Sequence, residues 1–206
     1  MLPFIWKILD NPDTWKKVQA VAGRYTVRAY RRTVTRLLHL TGKEAVLDVG
    51  CGTGEYSQLL EFRQYLGVDY NEQYIEWARR QYGLEGRISF QAMDVAEVPR
   101  LSLNLEAAFC IAVTHHLSDQ ELRKMVLDVL ASVTDRFVIV DMVLPPIWKN
   151  PLSHFLIRID RGRHGRSQQA LLEVLKQTGA AVESVSRTFG FPHSVVGITL
   201  RHGPQS

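Results

Sequence analysis

Short apolar runs alternate along the chain with longer segments in which apolar residues recur every three or four positions, mainly after residue 44. The runs at residues 45–47, 65–69, 181–188 and 194–201 predict strands, and the periodic segments predict helices. This alternation is typical of a parallel sheet that is covered by helices on both faces. The pattern therefore predicts an α/β fold.

Four periodic segments predict helices whose apolar stripes face the core. Ser118 is followed three residues later by Glu121, a capping-box signal that predicts a helix start at Leu117 or Ser118. A further helix is predicted at about residues 167–178. The stripes of the first three helices are Tyr56, Leu59 and Leu60; Tyr74, Trp77 and Ala78; and Leu122, Met125, Val126, Val129, Leu130 and Val133.

The most informative stretch is the glycine turn, residues 48–54, which follows the first strand and reads Asp-Val-Gly-Cys-Gly-Thr-Gly. Glycine has no Cβ, so such a turn brings bare backbone against a ligand at the carboxyl end of a strand. A dinucleotide fingerprint requires its third glycine where this chain has Glu55. Helix amino ends favour anions, and an acid there would repel a pyrophosphate. Asp48 and Glu55 suit a cationic ligand better.

On these residues the glycine turn resembles motif I of the class I S-adenosylmethionine (SAM) methyltransferases, whose cofactor carries an ammonium and a sulfonium. The resemblance covers residues 44–142 and implies SAM as cofactor. It also implies that Asp69, which closes the second strand, binds the two ribose hydroxyls. Residues 88–95 look like the third strand, where Asp94 would accept from the adenine amino group. The implied cofactor residues are Asp48, Gly50, Gly52, Gly54, Asp69, Tyr70, Asp94, Val95 and Ile111.

The resemblance also implies the architecture of the whole chain. It is a Rossmann-like class I methyltransferase fold, with a mostly parallel seven-stranded sheet, a C-terminal antiparallel hairpin and N-terminal helices. Residues 107–117 look like the fourth strand with its outgoing loop, and residues 137–142 like the fifth. A single domain is expected, with an N-terminal helical cover (1–43), a SAM-binding core (44–142), an acceptor-side insertion (143–166) and a helix with the hairpin (167–206).

Residues 113–121 contain the next candidate chemistry, the pair His115 and His116. They are similar to the Leu-His-His-Leu of ubiquinone- and menaquinone-type methyltransferases and to the Leu-His-Asp-Trp-Ser-Asp of O-methyltransferases. In the second pattern the histidine that matches His115 is a general base. The resemblance thus implies catalytic roles for His115 and His116 in an in-line displacement at the sulfonium methyl. A purely structural pair is the alternative, because His116 and Leu117 depart from the second pattern.

Positive charge is concentrated in two segments. Residues 1–43 hold nine basic and two acidic side chains together with Phe4, Trp6 and Trp15. This basic amphipathic segment is expected to cover the site or pack on the core, with peripheral membrane contact as the alternative. The second segment, residues 158–166, corresponds to the family's acceptor-side insertion.

Paired arginines recognise carboxylate or phosphate through bidentate hydrogen bonds. Arg158, Arg161 and Arg163 are therefore candidate substrate-binding residues for a small molecule, acidic or hydrophobic. Pairing of Asp160 with a neighbouring arginine is the alternative interpretation.

Several function classes are disfavoured. The pI is about 9.2, but residues 110–114 lack the Asn/Asp-Pro-Pro-aromatic motif of base-modifying methyltransferases, so a nucleic-acid substrate is an alternative only. The histidines lack metal-ligand spacing, and no metal is expected. Cys51 and Cys110 are expected to be free thiols in a cytoplasmic protein, since no bilayer-spanning run or leader is evident. An NAD-dependent oxidoreductase and a non-catalytic SAM-binding protein remain alternatives.

Overall fold

The computed structural model describes residues 24–101, 104–159 and 163–203. Its centre is a seven-stranded sheet in the order β3-β2-β1-β4-β5-β7-β6. The first five strands are parallel, and β7 runs antiparallel to both β5 and β6. The strands are β1 (Ala45–Val49), β2 (Gln64–Asp69), β3 (Ile88–Ala92), β4 (Leu105–Ile111), β5 (Val133–Val143), β6 (Ala181–Gly190) and β7 (His193–Arg201). The predicted fold class, including the hairpin, is confirmed.

Helices cover both faces of the sheet, because its strands bury side chains alternately to either side. Leu47 packs on one face with residues of α3 and α5, whereas Val46 packs on the other with residues of α1 and α2. The helices are α1 (Arg24–Leu38), α2 (Glu72–Tyr82), α3 (Asp119–Ser132), α4 (Pro151–Ile159) and α5 (Gln168–Lys176). None of the described helices is long and apolar enough to cross a membrane.

The capping box at the start of α3 is confirmed. The Glu121 carboxylate accepts a hydrogen bond from the Ser118 amide at 2.8 Å, and Ser118 Oγ accepts one from the Glu121 amide at 3.3 Å. Val133, expected on the stripe of this helix, instead begins β5. The start of the helix is thus fixed by local hydrogen bonds, whereas its end is set by entry into the sheet.

The predicted helix after the glycine turn is wrong. The segment forms only a short 3-10 helix, Glu55–Gln58, and of its predicted stripe Leu60 is buried while Leu59 is exposed. Only residues 55–63 separate the turn from β2, and part of this segment must carry the chain back to the start of the sheet. A regular helix of three turns does not fit in that connection.

Helix α4 was not predicted, because the two prolines at 145 and 146 indicated irregular structure. The helix begins later, at Pro151, and proline is well suited to a first helical position. Asn150 precedes it, and its Oδ1 accepts from the Ser153 amide at 2.9 Å. This local cap starts a helix that the apolar pattern alone did not indicate.

The carboxyl ends of the five parallel strands lie along one edge of the sheet, called here the carboxyl edge. The strand order reverses between β1 and β4, the point where open α/β sheets bind ligands. Val143 at the end of β5 pairs with Ser194 near the start of β7. The turn between β6 and β7 therefore lies at the same edge.

Candidate active site

The three glycines of the turn have different roles, although Gly50, Gly52 and Gly54 all have positive φ angles, of 70°, 53° and 78°. A Cβ on Gly50 would lie 2.6 Å from Val113 Cγ2, and one on Gly54 would lie 2.6 Å from Phe90 Cε1. A Cβ on Gly52 would meet no atom within 4 Å. Gly50 and Gly54 are thus needed for packing, whereas Gly52 leaves its backbone open to a ligand.

Asp48 is a buried carboxylate at the base of this turn. Burial raises its pKa to about 8; a hydrogen bond donated by Tyr65 Oη opposes that rise, and the charges of Asp69 and Glu55 add to it. Within the described ranges no cationic side chain forms an ion pair with Asp48. A buried acid with two acidic neighbours fits a cationic group, as the ammonium and sulfonium of SAM would supply.

Asp69 joins the ends of β1 and β2. Its Oδ2 accepts from the Gly52 amide and its Oδ1 from the Asn71 amide, each at 2.9 Å. Burial raises the pKa of this carboxylate, against the lowering effect of these donors. Each carboxylate oxygen can accept a second hydrogen bond, so ribose hydroxyls remain acceptable partners. Tyr70 follows as an exposed ring.

The other predicted cofactor residues continue along the carboxyl edge. Asp94, after β3, is exposed, and its Oδ1 accepts from the Ala96 amide at 2.9 Å. Val95 and Ile111 are half-buried and pack against the two apolar layers. The sheet order places Asp94, Asp69, Asp48 and Ile111 in sequence along this edge. The structure thus places the predicted set along one edge of the sheet.

His115 lies in a 3-10 turn, Thr114–His116, directly after β4. Ala112 bends the chain into this turn with a φ of 57°, a conformation that is strained for a non-glycine residue. The His115 ring is buried, and its Nδ1 is 2.8 Å from Asp141 Oδ1. Thr114 Oγ1 donates to Asp141 Oδ2 at 2.6 Å. His116 is exposed, and its ring centroid is 4.1 Å from that of His115.

Asp141 is the buried partner that orients His115. Burial alone would raise its pKa, but the charge of His115 and hydrogen bonds from His115, Thr114 and Met142 hold the pKa below its usual range. An ionised carboxylate at Nδ1 selects the tautomer with the proton on Nδ1, which makes Nε2 the basic nitrogen. A base that is oriented by a third group is the arrangement used in general-base catalysis.

Arg166 clamps the turn that carries His115. Its guanidinium donates to the carbonyl oxygens of Thr114 and Leu117, at 2.8 and 2.6 Å, and to Asp119 Oδ1 at 2.6 and 2.8 Å. The His164 amide donates to the His115 carbonyl at 3.0 Å. Of the predicted acceptor-side arginines, Arg158 and Arg163 are exposed, and Arg161 lies outside the described residues. The segment after α4 therefore holds the His115 turn in place.

The comparison with protein families agrees with this geometry. Residues 46–135 match the family model described as a methyltransferase domain. The chain carries a class I SAM-dependent methyltransferase domain. The match extends from β1 into the start of β5, so it includes the glycine turn, Asp69, Asp94 and the His115 turn.

Curated relatives of this methyltransferase domain are O-methyltransferases of fungi. O-methyltransferase cnsE of Penicillium expansum is 29% identical over 140 residues, which are 65% of this chain and 49% of that protein. O-methyltransferase resE of Aspergillus sclerotiorum is 29% identical over 186 residues, 84% of this chain and 66% of that protein. The chain thus spans between about half and two thirds of the length of these relatives.

Solved structures confirm the fold. The magnesium protoporphyrin IX methyltransferase of Synechocystis PCC 6803, with bound SAH, has a TM-score of 0.68 at 17% identity, covering 92% of this chain and 93% of that one. Human N-acetylserotonin methyltransferase in complex with SAM has a TM-score of 0.67 at 16% identity, covering 93% of this chain and 55% of that one.

Three residues of the site were missed by the sequence analysis. Asp141 had a signal, because an acid inside the apolar run at residues 137–142 must find a partner when it is buried. Tyr65 and Arg166 had none, since an aromatic residue in a strand and an arginine in a basic cluster are common. Their roles depend on which backbone and side-chain groups the fold brings to them.

Proposed function

We propose that this methyltransferase domain transfers the methyl group of SAM to a hydroxyl oxygen of a small-molecule acceptor, with His115 taking the proton. The observation that carries the proposal is the buried His115–Asp141 pair at the end of β4, next to the glycine turn in the sheet order. A hydroxyl is a poor nucleophile until it loses its proton, and a base in this place would remove it as the methyl arrives.

The cofactor would lie along the carboxyl edge. Asp48 would face its cationic end, Gly52 would leave space for it, Asp69 would accept from the ribose, and Asp94 with Val95 would hold the adenine. When bound, SAM supplies an activated methyl on a sulfonium. Methyl transfer of this kind depends on alignment and exclusion of water more than on covalent help from the protein.

The protein's own groups would handle the proton. Nε2 of His115 would accept it from the acceptor hydroxyl, and the ionised Asp141 would stabilise the imidazolium that forms, as in other base–carboxylate pairs. The Arg166 clamp would keep the His115 turn in register with the end of β4. His116, exposed beside His115, stays a second candidate.

The relatives support an oxygen acceptor, since cnsE and resE are both named O-methyltransferases. The acceptor would approach from the side of residues 143–166, where Arg158 and Arg163 remain candidate contacts. The buried, free thiols Cys51 and Cys110 suit a reducing, cytoplasmic setting.

Two measurements test the proposal. Calorimetry should detect binding of SAM and S-adenosylhomocysteine but not of NAD. Incubation with methyl-deuterated SAM and a set of phenols, matched with the corresponding anilines, should then label the phenol oxygens, as read by mass spectrometry. Binding of NAD instead of SAM would favour an oxidoreductase, and SAM binding without transfer to any acceptor would favour a binding protein. Labelling of the anilines alone would overturn the oxygen assignment.

A further inference from the structure

A cavity of about 380 Å³ opens between α1 and the end of the β6–β7 hairpin. Because the turn of this hairpin lies at the carboxyl edge, the cavity lies at the same end of the sheet as His115. Its walls combine two arginines of α1 with three aromatic rings: Arg28 and Arg32 with Tyr25, Phe189 and Phe191. Charged and aromatic groups that converge on one cavity indicate a ligand site.

The two arginines form the cationic side of the cavity. Arg28 and Arg32 are four residues apart in α1, so their side chains are neighbours on one helix face. In the part of the chain that the structure describes, neither guanidinium pairs with a carboxylate. Adjacent like charges destabilise a helix, and an anion between them would remove that cost. Guanidinium groups bind carboxylate and phosphate through paired hydrogen bonds.

The aromatic side is firmly built although its rings are exposed. Phe189 is 67% exposed, Phe191 55% and Tyr25 61%. The hairpin that carries the two phenylalanines is bound to α1, because Thr26 Oγ1 donates to the Gly190 carbonyl at 3.0 Å. A Cβ on Gly190 would lie 2.6 Å from Ala29 Cβ, so the two elements are in close contact. The rings are therefore held open to a ligand.

The sheet sets the distance between this cavity and His115. β7 and β6 are the second and third strands from β4 in the sheet order. Neighbouring strands are about 4.8 Å apart, so the hairpin end lies roughly 10–14 Å from the strand that carries His115. A ligand that reaches both must be elongated.

We propose that Arg28 and Arg32, with Tyr25, Phe189 and Phe191, form an acceptor subsite for the anionic end of an elongated aromatic or apolar acceptor. The hydroxyl to be methylated is at the other end of this molecule, next to His115. The proposal rests on the proposed function, because it takes the ligand of the cavity to be the methyl acceptor. It places recognition of an acidic group on α1, in addition to the candidate arginines that follow α4.

The test compares two probes. The acid probe is para,para′-hydroxybiphenylcarboxylate, a rigid phenol with its carboxylate at the far end, and the neutral probe is para-phenylphenol. Binding of each to the full chain is measured by calorimetry in the presence of S-adenosylhomocysteine, so the readout does not require turnover. The variants are Arg28→Gln/Arg32→Gln and, as the matched control, Arg36→Gln, which removes an exposed arginine of the same helix outside the cavity.

The wild type should bind the acid probe about tenfold or more tightly than the neutral one, as charged hydrogen bonds to a carboxylate allow. The double variant should lose this preference and Arg36→Gln should keep it. No preference in the wild type, or one that survives in the double variant, would overturn the subsite. So would a preference that emerges only after Asp10→Asn/Asp13→Asn, since the arginines would then serve the N-terminal acids.

Two further results separate other causes. Binding to phosphatidylserine vesicles that depends on Arg28 and Arg32, without an effect on the acid probe, would assign the cavity to a lipid headgroup and overturn the proposal. Methylation of the neutral probe by wild type and double variant alike, without any preference for the acid probe, would reject the subsite but leave the proposed function standing. Preferential binding of the acid probe without methyl transfer would reject the proposed function alone.

Discussion

The substitution Asp48→Asn tests the electrostatic account of the glycine turn. Burial raises the pKa of Asp48 to about 8, compared with about 3.9 in an unfolded chain. Between these values the folded protein binds a proton that the unfolded chain releases, so stability without cofactor must fall as the pH rises. Asparagine has no such proton and keeps an oxygen for the hydrogen bond from Tyr65.

The magnitude follows from the two pKa values. Each pH unit between them costs the folded state about 1.4 kcal/mol, so the wild type should lose about 3 kcal/mol relative to Asp48→Asn between pH 5 and pH 7.5. For a domain of this size that corresponds to a growing Tm difference of roughly 6–12 °C. SAM, as a cation, should favour the ionised form, so its affinity for the wild type should rise as the pH approaches 8.

The assay is thermal unfolding of both proteins without cofactor at pH 5 and pH 7.5, followed by calorimetry with SAM over the same range. We expect the variant to gain stability relative to the wild type at the higher pH, to bind SAM more weakly, and to lose the pH dependence of SAM binding. A Tm difference that is the same at both pH values would refute the reasoning, because Asp48 would then be ionised in the folded protein throughout.

Three other changes probe the rest of the site. Arg166→Lys should lower kcat about tenfold with an unchanged SAM Kd, because an ammonium cannot make all the fork contacts of a guanidinium; unchanged kcat in steady-state assays would show that the clamp is dispensable. Gly54→Ala should cost about 2–4 kcal/mol in urea unfolding, because its Cβ meets Phe90, whereas Gly52→Ala should cost only about 1 kcal/mol; equal costs would contradict the packing argument. Asp69→Ala should weaken SAM binding by about tenfold or more in calorimetry on a folded variant, and unchanged affinity would remove the ribose assignment.

Local signals in the sequence were enough for the frame of the molecule. The glycine turn, the acids that close β2 and β3 and the capping box at Ser118 each depend on residues a few positions apart. Because parallel strands end at one edge of a sheet, these signals also predicted where the cofactor residues would meet. The helix after the turn was predicted wrongly because its stripe carries no information about how few residues the connection has.

The chemistry around His115 depends on contacts between distant parts of the chain. Asp141 reaches His115 only because β4 and β5 pair with Ile111 opposite Val140, a register that composition does not encode. Arg166 binds mainly backbone carbonyl groups, which every residue has. The cavity beside Arg28 likewise needs α1 and the hairpin to meet, although more than 150 residues separate them in the chain.

The central claim is tested most directly by the rate of transfer from methyl-deuterated SAM to a phenol, measured for the wild type and for His115→Gln with SAM saturating. The account predicts a loss of roughly 10²–10⁴-fold in turnover, the usual contribution of a general base, with SAM affinity unchanged. Turnover of the variant within a few-fold of the wild type would contradict the account, because the buried His115–Asp141 pair would then be structural.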